Sequence, residues 1–349
     1  MPSDTASGAG QRNPRGISAP GRKKRVRRER HGVLAFVGAA LSLLVTLTAA
    51  AQTTTYIFTP IDVPAAREVI LSGINNAGQI VGYYEDDAFT YHGLFYSDGS
   101  SFTTIDVPGG GTLALGINNA GQIVGIGGVG GFLLDTDGTY RTFAVPGYCC
   151  TEAYGINDSG QIVGSFVYYN GFDIYASHGF LYSAGNFTII DAPGADQFYG
   201  NTYPRGINNA GQIVGYFDGG NGPPQHGYLF DTDASYTTID VPGSGGYTWV
   251  FGINNAGQIV GTGAGGAGGF LYSGGSFTTI VAPGGLGTEP FGINDAGQIV
   301  LRTTRFQWFV ATPAQSPGLA RLLGRPSTNQ PNALKGGSNV FASPAKSNR

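Results

Sequence analysis

The chain has 349 residues and a formal charge of −3, and 60 residues are glycine, more than twice the usual share of about 7%. The glycines follow no Gly-X-Y period, which excludes collagen; two cysteines exclude a disulfide scaffold; and 41% apolar with 12% aromatic residues leave material for a buried core. Residues 1–51 carry +7, residues 52–311 carry −15 and residues 312–349 carry +5, so the acidic centre argues against nucleic acid as a partner, since phosphate binding needs clustered Lys and Arg.

The chain opens on a basic run, Arg22-Lys23-Lys24-Arg25-Val26-Arg27-Arg28, followed by an uncharged, largely apolar stretch from Gly32 to Ala51 that ends in Ala49-Ala50-Ala51. Basic n-region, apolar h-region and small-residue cleavage site are the parts of a secretory signal. Residues 1–51 are therefore predicted to be a signal peptide or, if uncleaved, a signal anchor through residues 32–51. Either way the rest of the chain is placed outside the cytosol, secreted, periplasmic or at the cell surface, with membrane contact only if the segment is retained.

Repeats organise residues 52–312. The segment Gly73-Ile74-Asn75-Asn76-Ala77-Gly78-Gln79-Ile80-Val81-Gly82 returns from Gly116, Gly155, Gly206, Gly252 and Gly292, at spacings of 43, 39, 51, 46 and 40 residues. Only the last copy changes the closing Gly, to Leu301. The Asn-x-x-Gly portion reads as a type I turn with Gly at the left-handed position, which joins two strands. A third strand of the Gly-Phe-Leu-Tyr-Ser type follows. A fourth, Phe102-Thr103-Thr104-Ile105-Asp106-Val107 in the first copy, is ended by Pro, which has no N–H for a ladder. Runs such as Ile80-Val81 are apolar on both faces, as in sheets covered on both sides.

Four strands per repeat of this length predict a β-propeller blade. Tyr56 to Pro64 form an orphan fourth strand ahead of the first repeat. The sixth repeat has a third-strand candidate at Gln307-Trp308-Phe309-Val310 and no fourth. The prediction is all-β: a six-bladed β-propeller of four-stranded blades, its ring closed by the N-terminal strand completing the last blade. A β-solenoid is the alternative, but it explains neither the orphan strand nor the uneven spacing. Residues 313–349, rich in Pro, Ser and Asn, are predicted to be a disordered basic tail.

The repeats resemble the HAF family of extracellular repeats, on His178-Gly179-Phe180-Leu181-Tyr182 and on Gly206-Ile207-Asn208-Asn209-Ala210-Gly211-Gln212-Ile213-Val214-Gly215. The residue after the His is Gly where the family has Ala, and two copies carry Gly130 and Gly268 in place of the His. The resemblance covers residues 54–311 and implies an exported bacterial repeat protein. It implies no chemistry for named residues.

Loops between strands two and three, and between blades, share one face of a propeller, and here they vary while the hairpin turns of the other face barely change. Insertions on one face often mark the binding face. These loops hold Tyr84, Tyr169, Phe198, Tyr199, Tyr203, Tyr216 and Trp249 among Asp and Asn, a mixture that suits a glycan or a peptide-like or protein partner. The competing reading is that the aromatics cap loops and fill the mouth of the ring.

No catalytic residue is assigned. His92, His178 and His226 recur at one repeat position and read as structural. Asp135-Thr136-Asp137-Gly138 and Asp231-Thr232-Asp233 resemble pieces of a Ca²⁺ loop but fall in hairpin turns that favour Asp anyway. Glu85-Asp86-Asp87 is the weak cation candidate, Ca²⁺ being the one cofactor considered, with a solvated acidic loop as the plainer reading. Cys149 and Cys150 are adjacent, about 3.8 Å apart at Cα and so nearer than an ordinary bridge; outside the cytosol a strained vicinal disulfide is an open alternative to free thiols. The reading is an exported, non-enzymatic binding propeller. The alternatives are a structural, envelope-interacting repeat protein, or a glycan-active hydrolase or lyase using Glu85, Asp173, Asp196, Asp218 or Glu289, which would need two carboxylates about 5–10 Å apart.

Overall fold

A computed structural model describes residues 54–314, apart from 64–65, 98–100, 170–174, 196–199, 219–223, 265–267 and 286. The predicted signal segment 1–51 and residues 315–349 of the predicted tail lie outside the described residues, as do Pro64 of the orphan strand, Phe198 and Tyr199.

The chain forms six four-stranded antiparallel sheets arranged in a ring, a six-bladed β-propeller. β1 (Tyr56–Ile61) precedes the first blade, which is β2 (Glu68–Ile74), β3 (Ile80–Glu85), β4 (Tyr91–Ser97) and β5 (Ser101–Ile105). The second is β6 (Leu113–Ile117), β7 (Ile123–Gly127), β8 (Gly130–Leu134) and β9 (Tyr140–Phe143). The third is β10 (Cys149–Ile156), β11 (Ile162–Tyr169), β12 (Tyr175–Ser183) and β13 (Asn186–Ile189). The fourth is β14 (Asn201–Ile207), β15 (Ile213–Asp218), β16 (Gln225–Phe230) and β17 (Tyr236–Ile239), and the fifth β18 (Thr248–Ile253), β19 (Ile259–Gly263), β20 (Gly268–Ser273) and β21 (Ser276–Ile280). The sixth joins β22 (Thr288–Ile293), β23 (Ile299–Thr303) and β24 (Trp308–Pro313) to β1, which pairs with β24 from Tyr56 opposite Pro313 to Ile61 opposite Trp308. The ring thus closes as the sequence predicts, although β24 runs one residue past the expected boundary at 312. Pro60 is tolerated because β1 is an outermost strand.

The Ile-Val pair that opens each second strand explains the core. Ile80 and Val81, Ile162 and Val163, and Ile299 and Val300 are all fully buried, because each sheet is covered on both faces by neighbouring blades. The preceding turn has the predicted form: Gly78 N donates to Asn75 O at 3.0 Å, Asn75 N donates to Gln79 O at 3.0 Å, and Gly78 has φ +77°.

The Asn of Gly-Ile-Asn does more than open this turn. Its Oδ1 accepts turn N–H groups, as Asn75 does from Ala77 and Gln79, while Nδ2 reaches the next blade. Asn75 donates to Asn118 O, Asn118 to Asn157 O, Asn157 to Asn208 O, Asn208 to Asn254 O, Asn254 to Asn294 O and Asn294 back to Asn75 O, all at 3.0–3.2 Å. The six amides form a closed, buried ring around the axis. A second ring lies outside it. The backbone N–H of Asn76, Asn119, Asp158, Asn209, Asn255 and Asp295 each donates to the side chain of the next member, and Asp295 returns to Asn76. The two carboxylates stand three blades apart, each between two asparagine amides. At Asp158 burial opposes ionisation, but the Asn119 and Asn209 donors outweigh it and hold the carboxyl below its ordinary value. Asp295 is held down likewise by Asn76 and Asn255.

Asn157→Ala removes donations to Asn208 O and Gln161 Oε1 and the acceptor for Ser159 N and Gln161 N. Several buried partners are then left unpaired, so the urea midpoint is expected to fall by the equivalent of about 2 kcal/mol. An unchanged midpoint would show that the ring does not contribute to stability.

Candidate functional site

Each inner strand carries one extra residue against its partner immediately before Gly-Ile-Asn, and β10 has a second irregularity between Cys149 and Glu152. Leu71 pairs with Gly82 and Gly73 with Val81, so Ser72 is bulged; the same step isolates Leu115, Tyr154, Arg205, Phe251 and Phe291. A bulge re-aims a side chain. These six residues, with Ile70 and Tyr83, line an axial cavity of about 160 Å³. Behind them the six glycines of Gly-Ile-Asn bring the inner strands together. A Cβ on Gly292 would lie 3.1 Å from the Cα of Gly73, and one on Gly155 3.2 Å from the Cα of Gly206.

Arg205 dominates this funnel. Its guanidinium carbon lies 3.8 Å from the centre of the Tyr154 ring, and Nη2 donates to the Tyr216 hydroxyl at 2.7 Å. The Tyr154 hydroxyl donates to Glu152. Burial pushes the Tyr83 hydroxyl up to about 12 and the Tyr154 hydroxyl further, so both are neutral phenols at neutral pH. Tyr203 packs on Tyr216 with ring centres 5.1 Å apart. Of the predicted ligand residues, Tyr203 and Tyr216 are thus brought together, and what they surround is an arginine.

A larger groove of about 610 Å³ lies where the third blade meets the fourth, lined by Tyr148, Phe166, Tyr168, His178, Ile189, Asp191, Ala192, Pro193, Ala195 and Gly200. Tyr148 and Tyr168 are 39% and 40% exposed, while Phe166 beneath them is buried. Tyr148 rests on Phe166 with ring centres 4.7 Å apart and meets Tyr168 at 5.8 Å. His178 stacks on Phe166, and its Nδ1 lies 2.8 Å from Asp191 Oδ2. Cys149 and Cys150 follow Tyr148. Both are free exposed thiols, Cys150 takes φ +57° and the sulfurs lie 3.0 Å apart. Contact with Cys149 pushes the Cys150 thiol up to about 11.

The His–Asp contact recurs as His92 with Asp106 at 2.7 Å and His226 with Asp240 at 2.9 Å. The two blades that have Gly130 and Gly268 in place of His have Ala144 and Val281 in place of Asp. This co-occurrence was readable in the sequence and marks a clamp between the third strand and the segment after the fourth. Each His also packs on a ring of the second strand: Tyr84, Phe166 or Phe217. Tyr84 therefore belongs to a recurring packing motif, with its hydroxyl 3.3 Å from Thr104 Oγ1, and is not in the groove.

Trp249 also lies apart, its Nε1 donating to Gln225 Oε1 at 2.6 Å beside Tyr247. Tyr169 is in β11, but its side chain, like all of Phe198 and Tyr199, lies outside the described residues. Glu85 meets Arg67 at 3.3 Å, Asp86 accepts from Ala88 N and Thr90 N, and Asp87 is exposed. Glu85 is thus held by Arg67, and Asp86 by its own loop backbone and by His92 Nε2 at 3.4 Å. Among the described residues no three His, Cys, Asp or Glu side chains converge as metal ligands. Of the carboxylates considered for hydrolysis, Glu85 is held by Arg67, Asp218 by Asn201 and Glu289 by Arg302; Asp173 and Asp196 lie outside the described residues.

No family model and no curated protein matches the chain. Solved structures of similar fold include a virginiamycin B lyase from Staphylococcus aureus, at 14% identity over 74% of this chain and 100% of that one, with a TM-score of 0.41. A gluconolactonase from Xanthomonas campestris is 11% identical over 74% of this chain and 90% of that one, with a TM-score of 0.47. A fucose-specific lectin from Aleuria aurantia is 12% identical over 71% of this chain and 97% of that one, with a TM-score of 0.39.

Proposed function

We propose that the chain is an exported, non-enzymatic binding propeller of HAF type, whose ligand is a glycan or a peptide-like chain bound on the variable-loop face. The observation that carries this reading is the groove between the third and fourth blades. Two half-exposed tyrosine rings meet there, Tyr148 resting on the buried Phe166 and Tyr168 against His178 of a His–Asp pair. Aromatic faces cover the apolar face of a sugar ring or an extended peptide, and neighbouring polar groups take its hydroxyls or amides. Among the described residues the other His–Asp clamps lack this pair of exposed rings, so the rings distinguish the third blade. Export is supported by the basic run, apolar stretch and small-residue site of residues 22–51.

Screening the purified chain against glycan and peptide arrays should give a ligand whose affinity falls at least tenfold in Tyr148→Ala and Tyr168→Ala, with the urea midpoint unchanged. Rings this exposed cost little stability when truncated. A complete lack of binding, or a ligand indifferent to both substitutions, would overturn the reading.

A further inference from the structure

The axial funnel is a cavity distinct from the groove, and its lining has an unmet demand. Arg67, Arg141 and Arg302 are each matched by a carboxylate within 3.3 Å. Arg205 forms no ion pair among the described residues. One nitrogen is satisfied by Tyr216, the Tyr154 ring covers its face, and Nε is buried without a hydrogen-bond partner. Glu152, whose charge also favours the Arg205 cation, lies outside the lining and is engaged by the Tyr154 hydroxyl, with Ser165 Oγ at 3.5 Å. Ser72 Oγ is also buried and without a partner. Ser72 and Arg205 belong to the first and fourth blades, opposite each other across the axis. Native proteins rarely leave two such groups unmatched in one cavity, and groups left so are candidates for a ligand.

The remaining walls are largely apolar. Phe251 and Phe291 are stacked, with ring centres 5.5 Å apart and planes within 26°, and Leu115, Ile70 and Tyr83 complete the lining. A cavity of about 160 Å³ is smaller than the several hundred Å³ of a drug-sized site, so it accepts one ring or one side chain. A planar guanidinium at one end selects a carboxylate, whose two oxygens suit its forked donors.

We propose that the axial funnel binds a carboxylate carried on a small, flat, apolar body, with Arg205 taking the carboxylate and the stacked Phe251 and Phe291 walling one side of the body. The same chemistry is presented by a free aryl acid and by the C-terminal residue of a peptide that ends in Phe. The residue just before Gly-Ile-Asn is then the specificity position of every blade. It changes from Ser to Leu, Tyr, Arg, Phe and Phe while the following three residues never change.

Calorimetric titration of the full chain tests this with 3-phenylpropionate against 3-phenylpropanamide, and with acetyl-Ala-Ala-Phe as the free acid against its C-terminal amide. The acids are expected to bind at least tenfold more tightly than the amides. Arg205→Gln should abolish that preference, and Ser72→Ala should weaken binding about threefold. Because Arg205→Gln leaves Tyr154 and Tyr216 without their partner and can misfold, Leu115→Trp, which fills the cavity and leaves the charge in place, provides a second route to lost binding. Binding of 3-phenylpropionate alone would assign the site to free acids; binding of the tripeptide acid as well would assign it to peptide ends. Acids that bind no better than amides, no binding of either acid, or affinity retained in both Arg205→Gln and Leu115→Trp would overturn the proposal.

Discussion

Gly164→Ala is expected to destabilise the propeller by about 3 kcal/mol, the upper end of the usual cost of forcing a side chain into occupied space. A Cβ at this position would lie 1.9 Å from the backbone oxygen of Glu152 and 2.8 Å from the Phe180 ring. Neither neighbour can withdraw: one is backbone in the middle of a strand, and the other is fully buried. The bulge is the cause. By inserting Tyr154 it turns the carbonyl of Glu152 into the space that a Cβ at 164 would need. The same crowding recurs at Gly82, Gly125, Gly215 and Gly261, with backbone oxygens at 1.9–2.2 Å. The sixth blade differs, holding a buried Leu301 at this register among Val260, Ile293 and Ala311. Gly160→Ala is the matched control. Gly160 has φ +76° but nothing within 4 Å of its Cβ position, so only backbone strain applies, about 1 kcal/mol. Urea denaturation of both variants checks the contrast; equal midpoints would contradict it.

The glycines separate what the sequence makes legible from what it does not. Turn glycines such as Gly78 and Gly160 are readable because turn chemistry is local, with Asn three residues before and a strand on either side. Blade number and ring closure are readable because repeats and an orphan strand are properties of chain order. Gly82 and Gly164 look like the same punctuation, yet their role is close approach of a neighbouring strand, which depends on a cross-strand register that one residue's insertion sets. That insertion also hid the funnel. Arg205 stands next to an invariant motif and away from the variable loops, so loop variation marks its neighbours Tyr203 and Tyr216 and leaves Arg205 unmarked. Loop membership equally could not separate Tyr84, spent on His92, from Tyr148 and Tyr168, left open in the groove.

Removing β1 is expected to abolish the monomeric fold. A chain beginning at Arg67 keeps every repeat but leaves β24 without its outer partner. Ile61 leaves the cluster that holds Ile70, Leu71, Ile74 and Trp308, and Tyr56 and Phe58 leave the one that holds Ile299 and Leu301. Phe309 loses the edge contact of Phe58, whose ring centre lies 6.2 Å away. A fully buried large apolar side chain contributes about 1.5–3 kcal/mol; with Ile61 buried and Tyr56 and Phe58 half-buried, the three together contribute about 3–6 kcal/mol, a large share of the stability of a typical domain, about 5–15 kcal/mol. The exposed edge adds a second fault, because unpaired N–H and C=O groups recruit a strand from another chain. Size-exclusion chromatography should therefore show dimers or aggregates in place of a monomer. A synthetic peptide of residues 54–63 should restore the monomer by pairing with β24 in trans, since the register from Tyr56 to Ile61 does not depend on covalent continuity. A truncated chain that stays monomeric with an unchanged urea midpoint would mean that the blades hold together through the axial Asn ring and inter-blade packing alone, and that closure through the chain ends is dispensable.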